Sequence, residues 1–415
     1  MDVSAHLQLF TADECAEVFF QIYKNEFKYI PHPKTIDGKS GDLYQFVGHR
    51  WNVITYDIIL DYMGKNSEYV KVLLSKQPLN TVKYSVTVTD LLKKICPLFY
   101  DKIFEQKLDN NRDLLGFNNG VYSFESGCLR DGRPDDYVSL SVGYDYKIFD
   151  ENGENDEDIV SINTFLSKIC DKTYLTGILA SFLRLNTNRT FNIWSGGWSQ
   201  LLKFFESTIG PYAIKLPSEF FLQNRQCVCS EPIDFKGIRF ISSDLDISNI
   251  DDYQYPPHHP LKMGIITKLI SSDDNCQFNL VLCSNNNPFI DGDRAVQRAR
   301  MIDFKYSMNY GFDEISLMGK EQAFMYILLE HSKKNKTLSE PDEIRELKIN
   351  YMYRNCQVQP FIDECLEKDN NSTVSFTELW RAYICHFRLN YIHNPLTKMN
   401  FKDKLHLKFL KKYAF

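Results

Sequence analysis

One stretch limits this chain more than any other. It is Phe191–Ala213, FNIWSGGWSQLLKFFESTIGPYA. Phe191 to Trp194 is a short apolar run suited to a buried strand, and Ser195-Gly196-Gly197 reads as a turn. Leu201, Leu202, Phe204, Phe205 and Ile209 then recur at helical spacing, and Gly210-Pro211 stops the helix. A phosphate-binding loop sits at such a strand–turn–helix junction, because backbone N–H groups at a helix N-terminus hold anions. The pattern G-x-x-x-x-G-K-[ST] is not met, however. The residue before Ser199 is Trp198, and an apolar indole cannot neutralise a phosphate.

At 415 residues the chain has room for two or three domains. A net charge of −6 gives no global nucleic-acid signature, so any such binding must use a local patch. The N-terminus MDVSAHLQLF lacks the basic start and apolar core of a signal peptide. No apolar run approaches the ~18 residues of a membrane span. The expectation is therefore an intracellular protein that is not secreted. Eleven cysteines are scattered, with only Cys227 and Cys229 close together. That pattern argues for reduced, mostly buried thiols and against a zinc site.

In chain order, Thr11 can cap a helix running through Phe19, Phe20 and Ile22. Leu43–Trp51 reads as strand, turn, strand; His49, Arg50 and Trp51 could form a functional cluster, or Trp51 could anchor a small core while His49 and Arg50 cap the turn. Val53–Met63 and Val86–Phe104 read as helices. Residues 113–146 read as β structure: Leu114–Phe117, a turn at Asn118-Asn119-Gly120, Val121–Phe124, and alternation over Tyr137–Val142. The acidic run Asp150–Asp158 reads as a solvated linker before it reads as a metal-binding segment, and it marks a domain boundary. Residues 159–186 are helical in pattern.

After the central stretch, Ile238–Asp244 is a buried strand ending in a carboxylate. In an open α/β sheet the carboxyl ends of the strands face the ligand crevice. Asp244 could there hold Mg²⁺ or orient a water, or it could simply cap a helix. Phe278–Cys283 is another buried strand, running into Ser284-Asn285-Asn286-Asn287-Pro288. Asn285 can hydrogen-bond a water and a terminal phosphate, or form a plain Asn/Pro turn. Arg298 could reach a neighbouring subunit's nucleotide, or make a surface ion pair. Residues 313–334 read as a helix, and Asp342–Cys356, Pro360–Glu367 and a segment opened by Ser375 read as three more. The tail Lys398–Lys412 carries six lysines and one aspartate among apolar residues. It suits either a phosphate backbone or a packed, solvated face.

The order of these pieces resembles the superfamily-3 helicase/ATPase of large cytoplasmic DNA viruses. This is the C-terminal region of the poxvirus-type primase-helicase, which phage primase-helicases also carry. The likeness covers nearly the whole chain. LYQFVGHRW, DLLGFNNGVYSF and Arg133–Tyr146 look like the family's N-terminal region. Arg239–Asp244 looks like its Walker B strand. Thr267–Asp274 looks like its lysine-leucine-threonine-glycine-glycine-aspartate segment, with Lys268 and Asp274 kept. Asn285 with Pro288 matches the sensor segment, and Arg298 matches the arginine finger.

The resemblance implies an α/β fold in three parts. Residues 1–150 would form an α+β N-terminal domain. Residues 151–310 would form a helical collar with a P-loop, AAA+-like ATPase core, and residues 311–415 a winged-helix-like domain. It implies ATP bound at Gly196, Gly197 and Ser199, with Mg²⁺ on Ser199 and Asp244. Asn285 would sense the γ-phosphate and Arg298 would act in trans. It also implies single-stranded or forked DNA as partner, assembly into a ring or beside a paralogous helicase, and a place in the host cytoplasm or the virion.

The departure lies at the centre. Only four residues separate Trp194 from Ser199, about four fewer than the family pattern, and the lysine is missing. A clipped loop has too few N–H groups to wrap a triphosphate. Lys203 is turned about 140° away along the helix, and Lys215 depends on the fold. Three readings follow. The chain is a non-hydrolysing replication scaffold, an active NTPase and helicase with an atypical loop, or a DNA-binding or virion structural protein.

Overall fold

The computed structural model describes residues 11–32, 41–64, 67–76, 88–149, 156–184, 189–221, 235–245, 261, 265–266, 278–284, 298–304, 317–334, 339–355, 358–367, 373–390, 397–399, 401–402 and 405. Two compact units divide the chain, Met1–Tyr146 and Lys147–Phe415.

In the first unit, α1 (Ala12–Tyr23) opens with a capping box: Thr11 Oγ1 accepts from Glu14 N, and the Glu14 carboxylate accepts from Thr11 N. Its apolar face packs on an antiparallel sheet of β1 (Phe27–Pro31), β2 (Gly41–Val47) and β3 (Arg50–Ile54). Next come α2 (Tyr56–Tyr62) and α3 (Glu68–Lys76). The anticipated helix over Val53–Met63 is thus shorter, because Val53 and Ile54 pair with β2. Val86–Phe104 is two helices rather than one, α4 (Val88–Leu98) and α5 (Lys102–Lys107). Asp101 starts the second by accepting from Ile103 N and Phe104 N.

A second antiparallel sheet holds β4 (Leu114–Phe117), β5 (Gly120–Ser123) and β6 (Cys128–Arg130). Tyr137–Val142 is not a strand. Tyr137 takes a left-handed backbone (φ 53°), and the Asp109 carboxylate accepts from Ser139 N and Leu140 N in place of ladder partners. Trp51 is 2% exposed and donates its indole N–H to the Pro134 carbonyl at 2.9 Å. His49 Nδ1 accepts from Gly132 N, and Arg50 donates to Asn118 Oδ1.

The second unit is organised on a five-stranded parallel sheet: β7 (Phe191–Gly196), β8 (Ala213–Lys215), β9 (Phe240–Asp244), β10 (Asn279–Cys283) and β11 (Ala299–Phe304). The spatial order is β11-β7-β10-β9-β8. The central strands β7, β10 and β9 are buried along nearly their whole length, as in a sheet covered on both faces. One face meets α6 (Glu157–Ile169), α7 (Lys172–Phe182), α8 (Ser199–Ile209) and α9 (Glu321–Lys334) through rings such as Phe205 on Phe240 and Phe204 stacked on Phe324 at 4.5 Å. The other face buries Ile193, Ile241, Leu280, Leu282 and Met301 with Phe221 and Tyr351.

At the amino ends of the strands, buried Arg239 and Asn279 donate to main-chain carbonyls at the end of α7. They satisfy groups that a helix terminus leaves open. Helix α9 begins at Glu321, later than the periodicity from 313 predicts, after a turn at Leu317–Lys320. The chain then forms α10 (Asp342–Asn355), which lies against β11, α11 (Gln359–Cys365) and α12 (Phe376–Asn390). Phe361, Tyr383, Phe387 and Phe401 make a small separate core there. Among the described residues beyond 311 there are helices and no strand. The lysine-rich tail lies almost wholly outside the described residues.

Candidate functional site

Parallel pairing sets the site. In register, Cys283 stands opposite Trp194 on one side and Asp244 on the other. The carboxyl ends of β7, β10 and β9 are therefore level and adjacent. Ser284 N donates to the Trp194 carbonyl at 2.9 Å and Leu245 N to the Cys283 carbonyl at 2.8 Å, which stitches these tips together. After β7 the chain leaves toward β8, and after β10 it leaves toward β11, on the other side. Such a reversal between neighbouring strands opens a crevice at their carboxyl ends.

Gly196 is the last residue of β7 and Ser199 the first of α8, so only Gly197 and Trp198 lie between them. The strand runs farther than the expected turn at Ser195–Gly197, because Ser195 and Gly196 still pair with Asp303 and Phe304. Gly196 has φ 79°, and a Cβ there would stand 2.4 Å from the Phe304 carbonyl oxygen. Only glycine fits so close an approach. Trp198 N donates back to the Gly196 carbonyl at 2.9 Å, and the Trp198 ring is buried at 8% exposure. No side chain caps α8. Ser199 and Gln200 are exposed at its first turn.

Asp244 ends β9, two strands from β7, or about 10 Å across the sheet. Arg298 immediately precedes β11, at the amino end of the sheet. Five residues of strand rise, about 17 Å, separate it from the level of Asp303. That distance leaves Arg298 too far to serve its own crevice. Lys215 sits on edge strand β8, three strands from β7 and about 14 Å away. Lys203 is exposed on α8. Neither is at the start of α8, beside Ser199. Asn285, Lys268, Asp274 and Pro288 lie outside the described residues. Among the described residues, no three His, Cys, Asp or Glu side chains cluster as metal ligands.

One residue at the tip escaped the sequence reading. Asp303 accepts from Ser195 Oγ at 3.0 Å. Its signal was a lone carboxylate in the apolar run Met301-Ile302-Asp303-Phe304.

Residues 16–173 match the family described as D5 N terminal like. A protein named as a helicase in Acanthamoeba polyphaga mimivirus is 25% identical over 433 residues, covering 85% of this chain and 44% of that protein. These findings make the chain similar to helicase-named proteins of large DNA viruses. A helicase-named protein of Invertebrate iridescent virus 3 is 29% identical over 160 residues, covering 36% of this chain and 17% of its own length. One of Invertebrate iridescent virus 6 is 23% identical over 275 residues, covering 58% and 26%. The chain thus spans less than half the length of each of these curated relatives. The C-terminal region of NrS-1, solved in its apo A form, aligns over 88% of this chain at TM-score 0.37 and 8% identity. No helix among the described residues is long and apolar enough to cross a membrane.

Proposed function

We propose that this chain is a viral DNA-replication protein of the helicase type whose P-loop-like core has lost its triphosphate cradle. It acts as a non-hydrolysing scaffold and DNA-binding subunit, in a ring or beside an active paralogue, in the cytoplasmic replication compartment. The observation that carries this reading is the two-residue link between Gly196 and Ser199. A loop that wraps a triphosphate presents several successive N–H groups and a lysine. Here one N–H is spent on the Gly196 carbonyl and an indole stands at the lysine position. The residues at this turn therefore do not fit ATP·Mg²⁺, and no hydrolytic step is derived through it.

A second reading, an active NTPase with an atypical loop, is favoured by one feature. Asp244 stands at a strand tip level with Trp194 and Cys283, where an acidic residue would hold Mg²⁺. Titration of the purified chain with ATP and Mg²⁺ separates the two. The first reading expects no binding below millimolar ATP and no turnover; micromolar affinity with phosphate release refutes it. Trp198→Lys alone should leave hydrolysis absent, since loop length is also lost. ATPase activity in that variant would overturn the loop-length argument. DNA binding should weaken steeply with salt, as phosphate contacts require.

A further inference from the structure

The tip of β7 does more than lack a lysine. Asp303 Oδ1 lies 3.0 Å from Ser195 Oγ and 3.2 Å from where a Cβ on Gly196 would stand. A carboxylate is therefore held against the glycine that would open a phosphate loop. Among the described residues no lysine or arginine forms an ion pair with it. The same carboxylate lines a cavity of about 280 Å³ together with Asp171, Glu343 and Glu346. These four acidic groups give the lining of that cavity one sign of charge. A polyphosphate approaching Gly196 meets repulsion where a phosphate-binding loop supplies attraction.

We propose that Asp303, held by Ser195, closes this turn to polyphosphates, so that the site excludes nucleotide by charge as well as by length. This rests on the reading that the cradle has been lost, and it names a second, independent barrier. A unit charge about 4 Å from a phosphate changes affinity by between about fivefold and several hundredfold, depending on how well water screens it.

The test uses the full chain in four forms, with ATP·Mg²⁺ binding followed by calorimetry. They are the unaltered protein, Asp303→Asn, a restored-loop form with four residues inserted after Gly196 plus Trp198→Lys, and the restored-loop form carrying Asp303→Asn. The expected result is no binding by the first two and at least fivefold tighter binding by the fourth than by the third. Equal affinity in the two restored forms overturns this inference alone. Weaker binding on Asp303→Asn also overturns it, because Asp303 would then be helping to hold Mg²⁺. Micromolar binding by the unaltered chain overturns the underlying reading and this inference with it.

A second measurement needs no inserted loop. Ser199→Cys places a thiol at the exposed start of α8, within a Debye length of Asp303. Its pKa is read from the pH dependence of alkylation by a neutral reagent, with the labelled peptide followed by mass spectrometry. Adding Asp303→Asn should lower that pKa by a few tenths, because a nearby negative charge disfavours the thiolate. An unchanged or raised value refutes the proposed field.

Discussion

Gly196→Ala tests whether the glycine at the tip of β7 is there for packing. In the structure it has φ 79°, and its missing Cβ would lie 2.4 Å from the main-chain oxygen of Phe304. Holding alanine in the left-handed region costs roughly 1–2 kcal/mol. The carbonyl belongs to a paired strand, so it cannot swing aside as a side chain would. The tips of β7 and β11 must part, and the Ser195–Asp303 hydrogen bond, worth about 1 kcal/mol, is lost. Together these predict a destabilisation of about 2–3 kcal/mol, or roughly 5–10 °C in Tm for a unit of this size.

Urea unfolding followed by tryptophan fluorescence and far-UV circular dichroism measures it. Two controls sharpen the comparison. Gly197→Ala should cost under about 0.5 kcal/mol, since Gly197 has no positive φ. Ser195→Ala should cost about 1 kcal/mol, the hydrogen bond alone. Wild-type stability in Gly196→Ala would refute the packing argument and leave the glycine without a structural reason. An equal loss in Gly197→Ala would show that the turn as a whole is intolerant, and that the Phe304 contact is not the cause.

Two further outcomes concern the first unit. Trp51→Phe should cost about 2–3 kcal/mol, because it opens a gap beside Phe104 and Tyr44 and leaves the Pro134 carbonyl without its donor; urea midpoints check this, and a loss under about 0.5 kcal/mol contradicts the anchoring role. Burial pushes the Cys96 thiol up to about 12. Its folded pKa lies above its unfolded one, so the contribution to stability is full below about pH 8.5 and is lost as pH rises toward 12. Cys96→Ala should flatten that alkaline decline in a pH series of urea midpoints, and an unchanged slope would refute it. The native Cys96 thiol should also resist alkylation at pH 8 while exposed Cys128 reacts.

Local chemistry fixed much of this protein before any folding. Thr11 and Glu14 are spaced for a capping box and form one. The apolar runs at Phe191, Phe240 and Asn279 are long enough only for buried strands, and each is one. The helix from Ser199 ends at Gly210 because glycine alone takes φ 54° there without strain. The brevity of the turn between β7 and α8, with Trp198 and no lysine before Ser199, was likewise written in the residues.

Long-range pairing decided the rest. Whether Asp244 stands beside Trp194 depends on β10 slotting between their strands, and sheet order is a property of crossovers that no local pattern encodes. The same order put Lys215 on a distant edge. Tyr137–Val142 alternates like a strand, yet the Asp109 carboxylate took its amides, a contact across 30 residues of sequence. Asp303 read as one charge in an apolar run until parallel register set it against Ser195 and Gly196. Periodicity reports which face a residue prefers; only the assembled sheet determines which residues share a tip, because strand neighbours are chosen by the burial of the whole core.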